Sequence, residues 1–154
     1  MTSPLRLGIA GLGTVGVGVV RILRSQAALL EARTGRALEL VAVSARSRDK
    51  DRGVPLGHYA WEDDPVALAT RDDVDVYVEL MGGTDGPAKA STEAAIAAGK
   101  HVVTANKAML AIHGQALARA AEAAHVSLRY EAAVAGGIPV LKALTEGLAG
   151  NQLA

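Results

Sequence analysis

The chain has 154 residues, half of them apolar, with 16 basic and 16 acidic side chains and no cysteine. That composition excludes a disordered tail, and the even charge leaves no basic field for nucleic acid. The missing cysteine removes disulfides, Cys-based zinc sites and thiol catalysis, so a soluble cytoplasmic domain with no membrane span and no nucleic-acid partner is expected.

The apolar run at 5–10 stops at a glycine and predicts a buried strand. Val15, Val19, Ile22, Leu23, Leu29 and Leu30 recur mostly at helical spacing and predict one helix over 14–33, with Gly35 as its stop. A second strand follows at 38–43, then a polar, basic stretch from Ser44 to Arg52. Asp64-Pro65 carries the cap-plus-proline signature of a short helix to residue 69. Residues 74–80 alternate as a strand does. An Ala-rich helix over 87–98 ends at Gly99, a strand spans 101–105, a helix 110–124, and a last strand 126–130. Gly136-Gly137 then precedes a final helix over 139–148. Strands alternating with helices predict an α/β fold, a doubly wound parallel sheet of the Rossmann type covered on both faces. Residues 1–138 read as that domain and 139–154 as a linking helix toward a further domain.

Gly11-Leu12-Gly13-Thr14-Val15-Gly16 falls between the first strand and the first helix, where a dinucleotide fingerprint belongs. Gly11 permits the tight turn, Gly13 removes the Cβ that would hold off a pyrophosphate, and Gly16 lets the helix press on the strand. The helix start then offers free N–H groups to phosphate. NAD-preferring sites carry an acid at the end of the second strand, whereas this strand runs into Ser44-Ala45-Arg46. Arg46, with Ser44, is expected to hold a 2′-phosphate, so NADP is preferred and NAD remains the alternative. Arg48, Lys50 and Arg52 read equally well as further phosphate ligands or as a solvated loop balanced by Asp49 and Asp51.

Ligands of an open parallel sheet lie beyond the carboxyl ends of its strands. Gly83 and Thr84 lie there, in a loop whose glycines allow close approach of a ribose or nicotinamide. Asn106 and Lys107 follow the next strand, and the lysine offers three donors and a positive charge to a nicotinamide ribose or a substrate oxygen. Glu131 opens a third loop, where one carboxylate and main-chain carbonyls suit either a hard monovalent cation or a plain turn. His58, His101, His113 and His125 show no metal-ligand spacing.

Four stretches together resemble the N-terminal nucleotide-binding domain of the homoserine dehydrogenases. They are the glycine fingerprint, Val78-Glu79-Leu80-Met81-Gly82-Gly83, Thr104-Ala105-Asn106-Lys107-Ala108, and Glu131-Ala132-Ala133-Val134-Ala135-Gly136-Gly137-Ile138-Pro139. The resemblance implies NAD(P)-linked interconversion of L-homoserine and L-aspartate 4-semialdehyde, toward threonine, methionine and isoleucine. It implies Thr14 and Val15 on the coenzyme and Lys107 assisting catalysis near the nicotinamide. It also implies a sodium ion held by Glu131, Val134, Gly136 and Ile138, the last three through main-chain oxygens. Family members are homodimers and continue into a second domain that binds the small amino-acid substrate and supplies the main catalytic groups. The chain is therefore expected to be a cofactor domain, a truncation or fragment with little turnover alone. Two alternatives are a free-standing dinucleotide-binding module without chemistry and a dehydrogenase for another small oxo-acid or sugar.

Overall fold

A computed structural model describes residues 3–147. The chain runs β1 Leu5–Ala10, α1 Thr14–Ser25, α2 Ala27–Thr34, β2 Leu38–Ser44, β3 Ala60–Glu62, α3 Pro65–Thr70 and β4 Val76–Glu79. It continues with α4 Pro87–Ala97, β5 His101–Thr104, α5 Lys107–Ala123, β6 Leu128–Arg129, α6 Glu131–Ala135 and α7 Val140–Lys142, followed by a π-helical turn at Ala143–Gly147. The six strands are all parallel and lie in the order β3-β2-β1-β4-β5-β6. The direction of winding therefore reverses between β1 and β4, which opens a crevice at their carboxyl ends.

Two apolar layers hold the sheet. One packs Leu68, Tyr77, Ile96, Val102, Met109 and Leu117 between the strands and helices α3, α4 and α5. The other gathers Ile9, Leu12, Val20, Leu40, Val43 and Val78 on the α1 side. Each such side chain, fully buried, contributes about 1.5–3 kcal/mol. Tyr77 sits in the first layer and its hydroxyl bonds Ser91 Oγ at 2.7 Å, joining β4 to α4. At the amino end of the sheet, Arg6 and Asp75 join β1 to the approach of β4. Asp75 Oδ1 accepts from Arg6 Nη2 at 2.8 Å and Oδ2 from the Arg6 main-chain N–H at 2.9 Å.

The elements depart from sequence expectation in definite ways. The long first helix is two, broken at Gln26 (φ −118°, ψ 21°), whose N–H closes α1 on Ile22 O. Helix α2 has no buried residue, so no packing compels it to continue the α1 axis. Strand β3 has no sequence signature because three residues at a sheet edge are too few for a period. Helix α5 begins at Lys107 rather than 110 because Asn106 caps it, Oδ1 accepting the Met109 N–H at 3.1 Å. The last strand shrinks to two residues, and the stretch read as a loop after it is the short helix α6. The expected helix over 139–148 is replaced by α7 and the π-helical turn, and its end at Leu148 lies outside the described residues. Coverage is also uneven: along β5, Val102 and Thr104 are buried while His101 and Val103 are exposed, so that strand is covered on one face only among the described residues.

Candidate functional site

The crevice is built by the turn between β1 and α1. Gly11 has φ +99°, which L side chains rarely adopt, and a Cβ there would lie 2.5 Å from the Leu80 carbonyl. A Cβ on Gly16 would lie 1.9 Å from Gly11 O, so the helix touches the turn backbone to backbone. Gly13 differs from both: its φ is −79°, and a Cβ there would meet nothing within 4 Å. Its bareness therefore serves no internal contact. Helix α1 starts beside this open space with no side-chain cap and no acid in its first turn. Its leading amides and the positive end of its dipole are left for an anion.

A cavity of about 510 Å³ lies over the turn. Gly11, Leu12 and Gly13 form its floor, Ser44, Arg46 and Lys50 one wall, Asp63 and Pro65 the far rim, and Leu80 to Gly82 the other wall. Ser44 lines the cavity and accepts the Gly11 N–H on its carbonyl at 2.9 Å, though it is nearly buried. Arg46 is exposed on the same wall. Thr14 and Val15 are exposed in the first turn of α1, while Gly16 is buried beneath it. Gly11, Gly13, Ser44 and Arg46 thus line one cavity, while Thr14, Val15 and Gly16 lie beside it in the start of α1.

The second group of residues, Gly83, Thr84, Asn106 and Lys107, sits on the adjoining loops after β4 and β5 rather than in the cavity wall. Thr84 Oγ1 donates to Asp85 Oδ2 at 2.9 Å, and Asp85 also bonds His113 Nε2 at 2.9 Å. Those two partners hold the Asp85 carboxyl below its ordinary value. Asn106 is buried, and its carboxamide is occupied at both ends: Nδ2 donates to Gly83 O at 2.8 Å while Oδ1 caps α5. Lys107 is exposed at the first helical position.

The third group surrounds α6. Glu131 Oε1 and Oε2 accept the main-chain N–H groups of Leu141 (2.9 Å) and Lys142 (3.2 Å). Val134, Gly136 and Ile138 are exposed on the neighbouring backbone, with Gly136 at φ +60°. Glu131 also lines a second cavity of about 310 Å³ with Tyr130, Pro139 and Lys142. No group of three or more His, Asp or Glu side chains stands ready for a metal among the described residues. Nor is any described helix long and apolar enough to cross a membrane.

Two residues matter more than the sequence suggested. Arg52 is half-buried and fixed: it donates to Leu12 O (3.3 Å), Lys50 O (2.9 Å) and Ser47 O (2.6 Å), and its guanidinium lies 5.5 Å from the centre of the Trp61 ring. It pins the basic loop to the glycine turn. Glu79 is fully buried, and its carboxylate accepts from the Met81 N–H and the Thr104 hydroxyl. Burial pushes this carboxyl above its ordinary value, against the pull of those hydrogen bonds. Its sequence signals were an acid inside an apolar strand and a place in the Val78–Gly83 stretch, and neither pointed to Thr104.

A sequence model described as the NAD-binding domain of homoserine dehydrogenase matches residues 11–131. The homoserine dehydrogenases of Neisseria gonorrhoeae and Mycobacterium tuberculosis are each 47% identical over 151 residues, which is 98% of this chain and 34% of each relative. The crystal structure of the Thiobacillus denitrificans homoserine dehydrogenase superposes with a TM-score of 0.89 at 42% identity, over 97% of this chain and 34% of that one. A Staphylococcus aureus homoserine dehydrogenase gives a TM-score of 0.79 at 34% identity, over 90% of this chain. Fold order, glycine turn and similarity over nearly the whole chain agree: it belongs to the homoserine dehydrogenase family, as its NAD-binding domain.

Proposed function

We propose that the chain binds NADP(H) across the glycine turn. We further propose that it forms the coenzyme-binding part of an enzyme interconverting L-homoserine and L-aspartate 4-semialdehyde. The observation that carries the coenzyme reading is Gly13, bare toward open space at an uncapped helix start and flanked by a cavity wall that holds Arg46. A diphosphate there would take the amides of Thr14, Val15 and Gly16, and Arg46 with Ser44 would take the 2′-phosphate. Bound nicotinamide supplies the hydride or accepts it. Lys107, beyond β5, would donate to the nicotinamide ribose or to the substrate oxygen.

The chain spans about a third of the length of the curated homoserine dehydrogenases it matches, 34% of the Neisseria gonorrhoeae enzyme. Recognition of homoserine is assigned to the part of them it does not cover, together with dimer formation. Hydride transfer needs both reactants held in near-attack geometry, so the 154 residues alone are expected to bind coenzyme with little turnover. The role in threonine, methionine and isoleucine synthesis and the cytoplasmic location rest on the family reading. A sodium ion at Glu131, Val134, Gly136 and Ile138 suits the hard oxygen donors of that stretch, since a carboxylate oxygen bonded to one amide keeps a further lone pair.

Titration of the chain with NADPH and NADH tests the coenzyme assignment. NADPH is expected to bind more tightly, and Arg46→Ala to cut that preference about tenfold, the worth of one charge-assisted hydrogen bond. Tighter NADH binding by the unaltered chain would refute it.

A further inference from the structure

Parallel pairing of β4 with β5 ends at the partners Glu79 and Thr104, with one more bond from the Ala105 N–H to Glu79 O at 3.2 Å. Beyond that point side chains take over. Glu79 Oε1 accepts the Met81 N–H at 2.7 Å, and Oε2 accepts the Thr104 hydroxyl at 2.5 Å. Thr104 Oγ1 accepts the Asn106 N–H at 3.0 Å, and Asn106 Nδ2 donates to Gly83 O at 2.8 Å. The loop holding Met81, Gly82 and Gly83 and the turn holding Asn106 and Lys107 are thereby joined through one carboxylate. Glu79, Thr104 and Asn106 are 0%, 1% and 4% exposed, so the Glu79–Thr104 and Thr104–Asn106 bonds are withdrawn from water.

Stability alone does not account for an acid here. Withdrawing a carboxylate from water is costly, and an apolar side chain of similar volume commonly serves a core as well or better. A carboxylate does what an apolar residue cannot: it takes a donor from each of two loops and fixes their separation. One wall of the coenzyme cavity, at Met81 and Gly82, belongs to the first loop, and Lys107 begins the helix after the second.

We propose that Glu79 is a positioning residue, which joins the Met81–Gly83 loop to the Thr104–Lys107 turn and so sets the nicotinamide end of the site without touching the coenzyme. This rests on the NADP reading above. The adenosine end is made by the glycine turn, Ser44 and Arg46, and the Glu79 carboxylate bonds Met81 and Thr104 instead.

The test compares two probes, NADPH and 2′,5′-ADP, which carries the adenosine end alone. Each is titrated calorimetrically into the unaltered chain and into Glu79→Gln, whose amide offers one acceptor where two donors point. NADPH is expected to weaken about tenfold while 2′,5′-ADP changes less than about twofold. The rise in dihydronicotinamide fluorescence on binding should shrink as well. Thr104→Val, which removes the hydroxyl, should reproduce the split, and Thr104→Ser, which keeps it, should restore both readouts. Equal weakening of both probes, or of neither, overturns the proposal and leaves Glu79 a structural group. Failure of the unaltered chain to bind NADPH overturns the coenzyme reading first and this proposal with it. Should the variants not fold, amide exchange in the unaltered chain decides. Met81 and Asn106 must exchange as slowly as strand interiors, and exchange at the rate of the exposed Gly82 amide overturns the idea.

Discussion

Gly13 and Gly16 stand three residues apart and are glycine for opposite reasons, which single methyl groups separate. A Cβ at Gly16 would fall 1.9 Å from a backbone oxygen that cannot move without reopening the turn. Gly16→Ala is therefore expected to cost about 3 kcal/mol of stability. A Cβ at Gly13 meets nothing, and its backbone suits any L residue. Gly13→Ala should unfold at the same denaturant concentration as the parent yet lose NADPH binding; retained binding would remove the diphosphate from that place. Two carboxyls respond to acid with opposite sign. Asp75 is drawn from 3.8 to about 2, chiefly by its hydrogen bonds with Arg6. Its contribution is full above the ordinary carboxylate value and is lost as the pH falls toward about 2. Glu79 is displaced upward by burial, so its contribution is greatest at low pH and declines as the pH rises through its folded value. Asp75→Asn is expected to flatten the acid limb of a stability–pH curve measured by denaturant titration, and an unchanged slope would show that the pair is idle.

At the scale of elements, what could be read in advance was whatever the chain specifies locally. Asp64 caps α3 as its sequence indicated, accepting the Val66 N–H at 2.9 Å, with Pro65 in the first turn. Asp64→Ala should lower stability by about 1 kcal/mol in chemical denaturation, the usual worth of a cap. Gly35 and Gly99 follow their helices at φ +71° each, as a terminal glycine does. The fingerprint was legible for the same reason, since its three glycines fall within six consecutive residues, although the Leu80 carbonyl that crowds Gly11 does not. What stayed hidden depends on partners remote in the chain. Arg52 bonds Leu12 across 40 positions, and Glu79 meets Thr104 across 25. No local pattern marks either pairing. The break at Gln26 and the edge strand β3 escaped because periodicity needs more residues than they contain, and because pairing with β2 rather than propensity decides β3.

At the scale of the whole molecule, the parallel strands gather every βα turn of the crevice at the carboxyl end of the sheet, while Arg6 and Asp75 brace the amino end. Ligand binding at the carboxyl end must then feed into global stability. NADPH at about 100 times its Kd is expected to add about 2.7 kcal/mol, read as a rise in Tm. No rise would mean that the unfolded chain binds as well as the folded one, or that nothing binds. The sheet is also lopsided, with Val103 39% exposed on one face of β5 and Val102 buried on the other. One last feature follows from the clamp on the basic loop. Trp61 is the sole tryptophan of the chain, stacked under Arg52 and bonded through Nε1 to Asp63, and both neighbours line the coenzyme cavity. Indole emission overlaps the near-ultraviolet absorption band of reduced pyridine rings. If NADPH binds in this cavity as proposed, the indole is expected to act as a native donor for resonance energy transfer, so quenching of its emission would gauge occupancy without a label.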